Sequence, residues 1–430
     1  MKTKITFLFA FILFAICSHA QWSMQNSGFS TTNTGIGSIS IVNANVVWAS
    51  SFDSSWTSAY QDFTRTTNGG TTWTTGQING ANGYYISSIT AVSQDTAWVS
   101  MADLNNGGGR IYKTTNGGAN WTRQNNTAFN GGNGWADAIY FWNANEGVCL
   151  GDSNNGWWEF YYTTDGGANW NLTSQANVPV NLPGEYGQDN TYSVIGNTIW
   201  FGTDMGRVYK STDKGVTWTV SQTGLSAITS IAFKDANNGL AEDGGYLEAT
   251  TDGGLTWNSV NSNGDVFDAF MCYAPGTPGA YFTSEYGGYG GTSYSTDNGL
   301  TWVTVDTMEH GAIKFLNQNV GWCGGWNQST SVDGIWKWNG TIGMQELKSP
   351  YGLVKVFPNP MNESADIILP GETENASFVL YNSVGEKVKE LDGITGSRFT
   401  FHRENLPAGI YFYEIHSEKG LAATGKLMIN

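Results

Sequence analysis

The sequence predicts an all-β chain: a seven-bladed β-propeller closed by strands from both of its ends, followed by a small immunoglobulin-like β-sandwich. Three observations carry this. The pattern [ST]-x-[DN]-x-G-x-[TN]-W occurs six times, a strand–turn–strand pattern recurs seven times around it, and nothing beyond the first twenty residues has helical periodicity. The composition agrees, with 56 Gly, 19 Trp and 20 Tyr but only 13% charged residues in 430. Internal repeats of this length are the signature of a ring or array of sheets.

The six copies stand at 66–73, 114–121, 163–170, 211–218, 250–257 and 295–302. Each reads as a hairpin turn. Thr and Ser suit the end of a strand. The Asp or Asn two places on caps the turn by accepting backbone N–H groups. The Gly two places further takes positive φ at no steric cost, and the Trp starts the returning strand. Asn68, Asn116, Asp165, Asp213, Asp252 and Asp297 are therefore expected to serve their own backbone rather than chemistry.

The turn tryptophans are 48, 49, 48, 39 and 45 residues apart, about what one four-stranded blade needs. Trp22 precedes Trp73 by 51 residues, and its segment QWSMQNSG resembles the segments just after the other turns, such as TWTVSQTG. The seven inner hairpins fall at 38–50, 88–100, 137–151, 192–202, 229–242, 267–284 and 312–325. Seven hairpins against six turns balance if the ring closes on itself. Residues 334–340 then form the third strand of the last blade and the Trp22 segment its fourth, which removes exposed sheet edges. Residues 21–345 are expected to be this one propeller. Beyond a linker at 346–355, Trp disappears, and short alternating strands at 365–369, 377–381, 387–391, 398–401, 409–415 and 425–429 read as a sandwich spanning 356–430.

The turns closely resemble the Asp-box, or BNR, repeat of sialidases, sortilin-like receptors and related β-propellers. Asn68 and Asn116 replace its Asp, and Asn120 and Asn169 its Thr. The single ring also resembles the BNR-type photosystem assembly factors and the sortilin ectodomain, which are binding proteins; that resemblance implies binding over catalysis. VFPNP at 356–360, VLYNSVGEKV at 379–388, LPAGIYFYEI at 406–415 and the terminal GKLMIN resemble the C-terminal sorting domain of type IX secretion cargo. In that family the domain directs export across the outer membrane of Bacteroidota and is usually removed as the cargo is attached to the surface or released. The type IX machinery is thus an expected partner, and the cell surface or the medium the expected location.

Lys2 and Lys4, the apolar run 5–17 and Ser18-His19-Ala20 read as a signal peptide at 1–20, cut after Ala20. The run is short for a membrane span, and no other stretch is apolar enough to cross. A net charge of −16 would repel nucleic acid. Cys149, Cys272 and Cys323 lie in different repeats without zinc spacing and read as small buried thiols. A monomer is expected.

Loops on a rigid scaffold carry function, and the irregular length here lies in loops away from the Asp-box turns. The ligand-binding rings expected there are Trp56, Tyr60, Tyr85, Trp135, Trp157, Trp158, Tyr186, Tyr286 and Trp326. Asp137, Asp152, Glu159 and Asp189 are the candidate acids among them. Aromatic faces stack on sugar C–H faces and carboxylates accept hydroxyl protons, so a glycan is one expected ligand class and a protein the other. Each ring also has a structural reading, packing between blades; for the run Trp157-Trp158-Glu159 the ligand reading is favoured.

Catalysis has less material. Sialidases of the resembled family hold the substrate carboxylate with three arginines. Here Arg65 and Arg123 flank turns, only Arg110 and Arg207 open third strands towards the funnel, and the early Arg-Ile-Pro motif is absent. Polysaccharide cleavage by two carboxylates, as a glycoside hydrolase or lyase, is the alternative to pure binding. His310 is the sole histidine of 21–345, too little for a triad or a histidine metal site. Acidic loops at Asp152 and Glu242-Asp243 offer oxygens for calcium, but no EF-hand spacing supports it, so no metal or cofactor is assigned.

Overall fold

A computed structural model describes residues 21–340 and 354–430, except 33, 54, 56, 125–127, 130–133, 288–289, 330–331, 383–384 and 418–419. The expected signal peptide, Trp56 and most of the linker lie outside the described residues. The chain divides into two compact units, Met1–Gly343 and Met344–Asn430.

Among the described residues of the first unit there are seven four-stranded antiparallel sheets. The first runs Gly35–Ile41, Val47–Phe52, Asp62–Thr66, Thr74–Gln77, from inner to outer strand. The inner strands of the others are Tyr84–Ala91, Ala136–Phe141, Gly187–Ile195, Ser230–Phe233, Phe270–Tyr273 and Ile313–Asn317. Each inner strand packs on the next, and Ile313–Asn317 packs back on Gly35–Ile41. That ring is β-propeller architecture. Flat aromatic stacks join neighbouring sheets: Trp98 lies on Phe141 and Trp200 on Phe233, each pair at 3.7 Å. Trp48, Trp98, Trp200 and Trp322 recur on second strands and are fully buried.

The seventh sheet takes its outer strand from the other end of the unit. Trp22–Asn26 pairs antiparallel with Val332–Trp338, Trp22 opposite Trp338 and Asn26 opposite Gly334. Trp22 is 2% exposed, edge-on to Trp338 at 5.0 Å. Its Nε1 donates to Thr292 Oγ1 (3.0 Å), and that hydroxyl donates to Asp306 Oδ2 (3.1 Å). His310 Nε2 meets Asp306 Oδ1 at 3.0 Å, and its Nδ1 meets the Gly324 carbonyl at 3.1 Å. His310 is therefore a buried structural link. Gln25 Oε1 accepts from the indoles of Trp73 (3.1 Å) and Trp322 (3.3 Å), tying the first sheet to the seventh.

The Asp-box turns repeat one hydrogen-bond net. At Asp165, Thr163 Oγ1 donates to Oδ1 (2.9 Å), the Asn169 N–H donates to the same oxygen (2.9 Å), and the Gly167 N–H donates to Thr163 Oγ1 (2.9 Å). Gly167 has φ +88°. Asn68 and Asn116 keep the acceptor: the N–H groups of Thr72 and Asn120 reach their Oδ1 atoms at 2.9 Å. Asp213, Asp252 and Asp297 do the same. Cys149, Cys272 and Cys323 are free and buried, and burial pushes the Cys272 thiol up to about 12.

The second unit differs from the sequence expectation. Its strands are Lys355–Phe357, Ser364–Tyr381, Lys387–His402, Gly409–Ser417 and Gly420–Ile429, joined in one five-stranded sheet. Two strands expected as four short ones form a long hairpin with register shifts between Ile368 and Phe378. Both halves of that hairpin share one core of Met361, Ile367, Phe378, Phe401, Ile415 and Leu427, so strands expected as separate are continuous.

Trp22→Ala should cost about 3–5 kcal/mol of stability, read as a lower denaturant midpoint. The turns carry an acid dependence. The Asn169 N–H, with other hydrogen bonds, holds the Asp165 carboxyl below the usual range. A depressed folded-state pKa stabilises above about pH 4 and is lost as pH falls through the folded value. Asp165→Ala should therefore lower the midpoint at neutral pH, with the difference from wild type shrinking as pH falls through the depressed folded-state value.

Candidate functional site

Inner strands begin, and second strands end, on the face opposite the Asp-box turns. There they enclose a cavity of about 740 Å³. Six rings line it, Phe52, Tyr85, Trp135, Tyr186, Phe270 and Tyr286, with five acids, Asp137, Asp152, Asp189, Asp268 and Glu285. No Lys or Arg stands among the described lining residues.

β-Bulges aim these side chains. The first three inner strands each skip one ladder position, at residues 37, 87 and 137, and Gly37, Ser87 and Asp137 all face the cavity. A bulge re-aims a side chain that regular pleating would send elsewhere. The fourth inner strand bulges further: Gly187 pairs with Thr203 and Tyr192 with Phe201, leaving residues 188–191 out of the ladder. This segment crosses the ring. Asn190, at φ 59°, accepts at Oδ1 from the hydroxyls of Ser38 and Ser88, both at 3.1 Å. Tyr85 donates to Asp189 Oδ2 (2.6 Å) and accepts from Trp135 Nε1 (2.8 Å). The bulge makes the cavity floor. Further along the inner strands, Lys314 lines a separate void of about 30 Å³ that also touches Asn190.

Three acids meet at this floor. Asp137 is 1% exposed, and its Oδ2 has no hydrogen-bond partner. A Cβ at position 187 would stand 2.3 Å from Phe201 Cζ and 2.4 Å from that oxygen, so glycine leaves room for both the ring and the carboxyl. The Gly187 N–H in turn donates to Asp152 Oδ1 at 2.7 Å. Burial, then the charges of Asp152 and Asp189, push Asp137 well above the carboxylate range. Burial pushes Asp152 up to about 7 against the Gly187 hydrogen bond, with Asp204 adding to it. Burial likewise pushes Asp189 up to about 7, against the Tyr85 hydrogen bond and with Asp152 adding.

The structure thus gathers Tyr85, Trp135, Tyr186, Tyr286, Asp137, Asp152 and Asp189 into one cavity. Trp326 stands behind it, 6.1 Å from Tyr286. Tyr60 lines a small adjoining recess with Tyr85. The favoured run Trp157-Trp158-Glu159 is not part of it. Trp158 is buried against Phe160 and Tyr209 between sheets, Glu159 accepts from Tyr161 at 3.0 Å, and Trp157 is exposed on a two-stranded hairpin, Ser153–Asn154 with Trp157–Trp158. Neither funnel-side arginine reaches the cavity: Arg207 pairs with Glu185 at 2.7 Å, and Arg110 stacks on Tyr84 at 3.8 Å. Sequence reasoning missed Phe52, Phe270, Thr229 and Glu285. Their signal was position, at the cavity end of inner hairpins.

Two stretches match family models. Residues 355–430 match the secretion system C-terminal sorting domain, and residues 161–172 match the BNR/Asp-box repeat. No curated protein matches the chain. Similar solved structures include YCF48 bound to a D1 peptide, at 16% identity and TM-score 0.54 over 75% of this chain and 98% of that one. YCF48 from Cyanidioschyzon merolae is similar at 18% identity and TM-score 0.54, over 74% and 99%. At such identities the likeness is one of fold. The class is therefore a BNR-type β-propeller with a type IX secretion sorting tail. That tail marks the chain for export to the cell surface or the medium, and no described helix is long and apolar enough to cross a membrane.

Raised folded-state values reverse the pH dependence seen in the turns. Acids such as Asp152 and Asp189 favour the fold below about pH 4, and that contribution is lost as pH rises through about 7. The melting temperature should fall between roughly pH 4 and 7 and level off above that. Asp137→Asn should flatten that fall, as thermal melts across pH would show.

Proposed function

We propose that this chain is an exported, monomeric, seven-bladed propeller that binds glycans in the cavity opposite its Asp-box turns. It is read as a signal peptide at 1–20, propeller at 21–345, linker at 346–355 and sorting domain at 356–430. One observation carries the ligand class: six aromatic faces and five acids share a single cavity of about 740 Å³ with no basic lining residue. That volume suits a small-molecule or oligosaccharide ligand. Rings stack on sugar C–H faces, acids accept from hydroxyls, and acidic sugars are repelled. YCF48, similar in fold, has been solved bound to a peptide, so peptides form the control arm.

A glycan panel with the mature full-length protein tests this. Neutral oligosaccharides should bind, and Tyr186→Ala and Tyr286→Ala should each weaken binding about 10-fold, or ~1.4 kcal/mol. Tyr186 is 50% exposed, so its loss leaves the fold unchanged. Peptide binding with no glycan binding overturns the reading.

A second reading has its own support. Asp152 and Asp189 hold protons near neutrality, as a general acid must, beside further carboxyls. A polysaccharide-cleaving enzyme would release reducing ends. Activity that survives Asp137→Asn, Asp152→Asn and Asp189→Asn would remove these acids from it.

A further inference from the structure

We propose that the cavity floor selects sugars bearing a free amine, with the ammonium seated on Asp137. This rests on the glycan reading and narrows it. The first argument is an unpaired atom. Asp137 Oδ2 is buried without a hydrogen-bond partner, and native structures leave few buried polar atoms in that condition. The oxygen itself has almost no exposed area, but its residue lines the cavity and is re-aimed by a bulge, so a donor pressing into the floor would meet it.

The second argument is charge. Burial first, and then their neighbours' charges, disfavour the ionised forms of Asp137, Asp152 and Asp189 on the floor, so they cannot all ionise there without a cation. Each sugar hydroxyl would satisfy one oxygen and do nothing to favour ionisation. An ammonium brings three donors and a positive charge, and it is attracted to aromatic faces as well. The protein provides no such cation here: the described lining holds no Lys or Arg, and Lys314 lies in the separate void past Asn190.

Alternatives fit less well. Among the described residues, no three His, Cys, Asp or Glu side chains are arranged to hold a metal ion. A single lysine side chain of a peptide would leave most of a 740 Å³ cavity and its rings unused. An amino sugar within an oligosaccharide uses both floor and walls.

The test compares three probes on the mature full-length protein at neutral pH: a β-1,4-glucosamine hexamer, its fully N-acetylated counterpart, and a lysine-containing hexapeptide. The free-amine hexamer should bind about 10- to 100-fold more tightly than the acetylated one. Added salt should shrink that ratio. Asp137→Asn and Asp152→Asn should each collapse it, the free-amine hexamer losing far more affinity than the acetylated one, and thermal melts should show both variants folded. Equal affinity for the two hexamers overturns the amine preference but leaves the glycan reading standing. A ratio that survives both substitutions overturns the seat. Binding of the peptide alone overturns both.

Discussion

Everything in the propeller depends on one strand pairing, Trp22–Asn26 against Val332–Trp338. The cavity draws its walls from the first six sheets: Phe52, Tyr85, Asp137, Asp189 and Glu285 lie in the first four and the sixth, and Thr229 directly precedes the inner strand of the fifth. No described lining residue comes from the seventh. The seventh sheet acts as a clasp. It connects the sixth sheet, through Trp22 and Thr292, to the first, where the Ala312 N–H donates to the Ile36 carbonyl at 2.9 Å. Contacts across the axis, such as Asn190 to Ser38, have a fixed length only in a closed ring. The site is therefore a property of the closure rather than of any one blade.

The same residue type behaves oppositely on the two faces. Asp165 sits in a turn whose N–H groups favour its charge. Asp137 sits where burial and like charges oppose it. The first environment recurs at every Asp-box turn and fixes hairpins. The second is shared by Asp152 and Asp189 on the cavity floor, and at Asp137 it arises at a bulge in the third sheet. Repetition marks the structural acids, and departure from repetition marks the cavity acids: the corresponding bulge positions in the first two sheets are Gly37 and Ser87.

That contrast explains what could be read from the chain alone. Asp-box turns and inner hairpins are local, so each announces itself in a dozen residues, and their unequal number pointed to the closing strand. Asp137, Asp152, Asp189, Tyr85 and Tyr286 were legible because they lie in loops and strand ends away from the turns. The run Trp157-Trp158-Glu159 falls outside the cavity because composition does not say which way a short hairpin faces; alternation turns Trp158 inward onto Phe160. The floor was hidden for a related reason. The segment GQDNT precedes the alternating YSVI and reads as loop, yet the pairing of Gly187 with Thr203 places it within the inner strand as a bulge. In the tail, the polar run GETENAS looked like a connection between strands, whereas the backbone passes through it in one long strand.

The floor is expensive, and its cost argues for its purpose. Burying carboxyls side by side destabilises the fold, and a propeller needs none of them to close. Yet three separate features bring them together: a glycine at 187 that leaves space for Asp137, an amide on that glycine that orients Asp152, and a bulge that carries Asp189 to Tyr85. Replacing Asp137 by a small apolar residue would remove the unpaired oxygen without disturbing the ring stacks or the Asp-box turns, which lie elsewhere. A fold that keeps the carboxyl instead holds an unfilled demand for a partner. It faces a cavity whose walls are already suited to sugar rings.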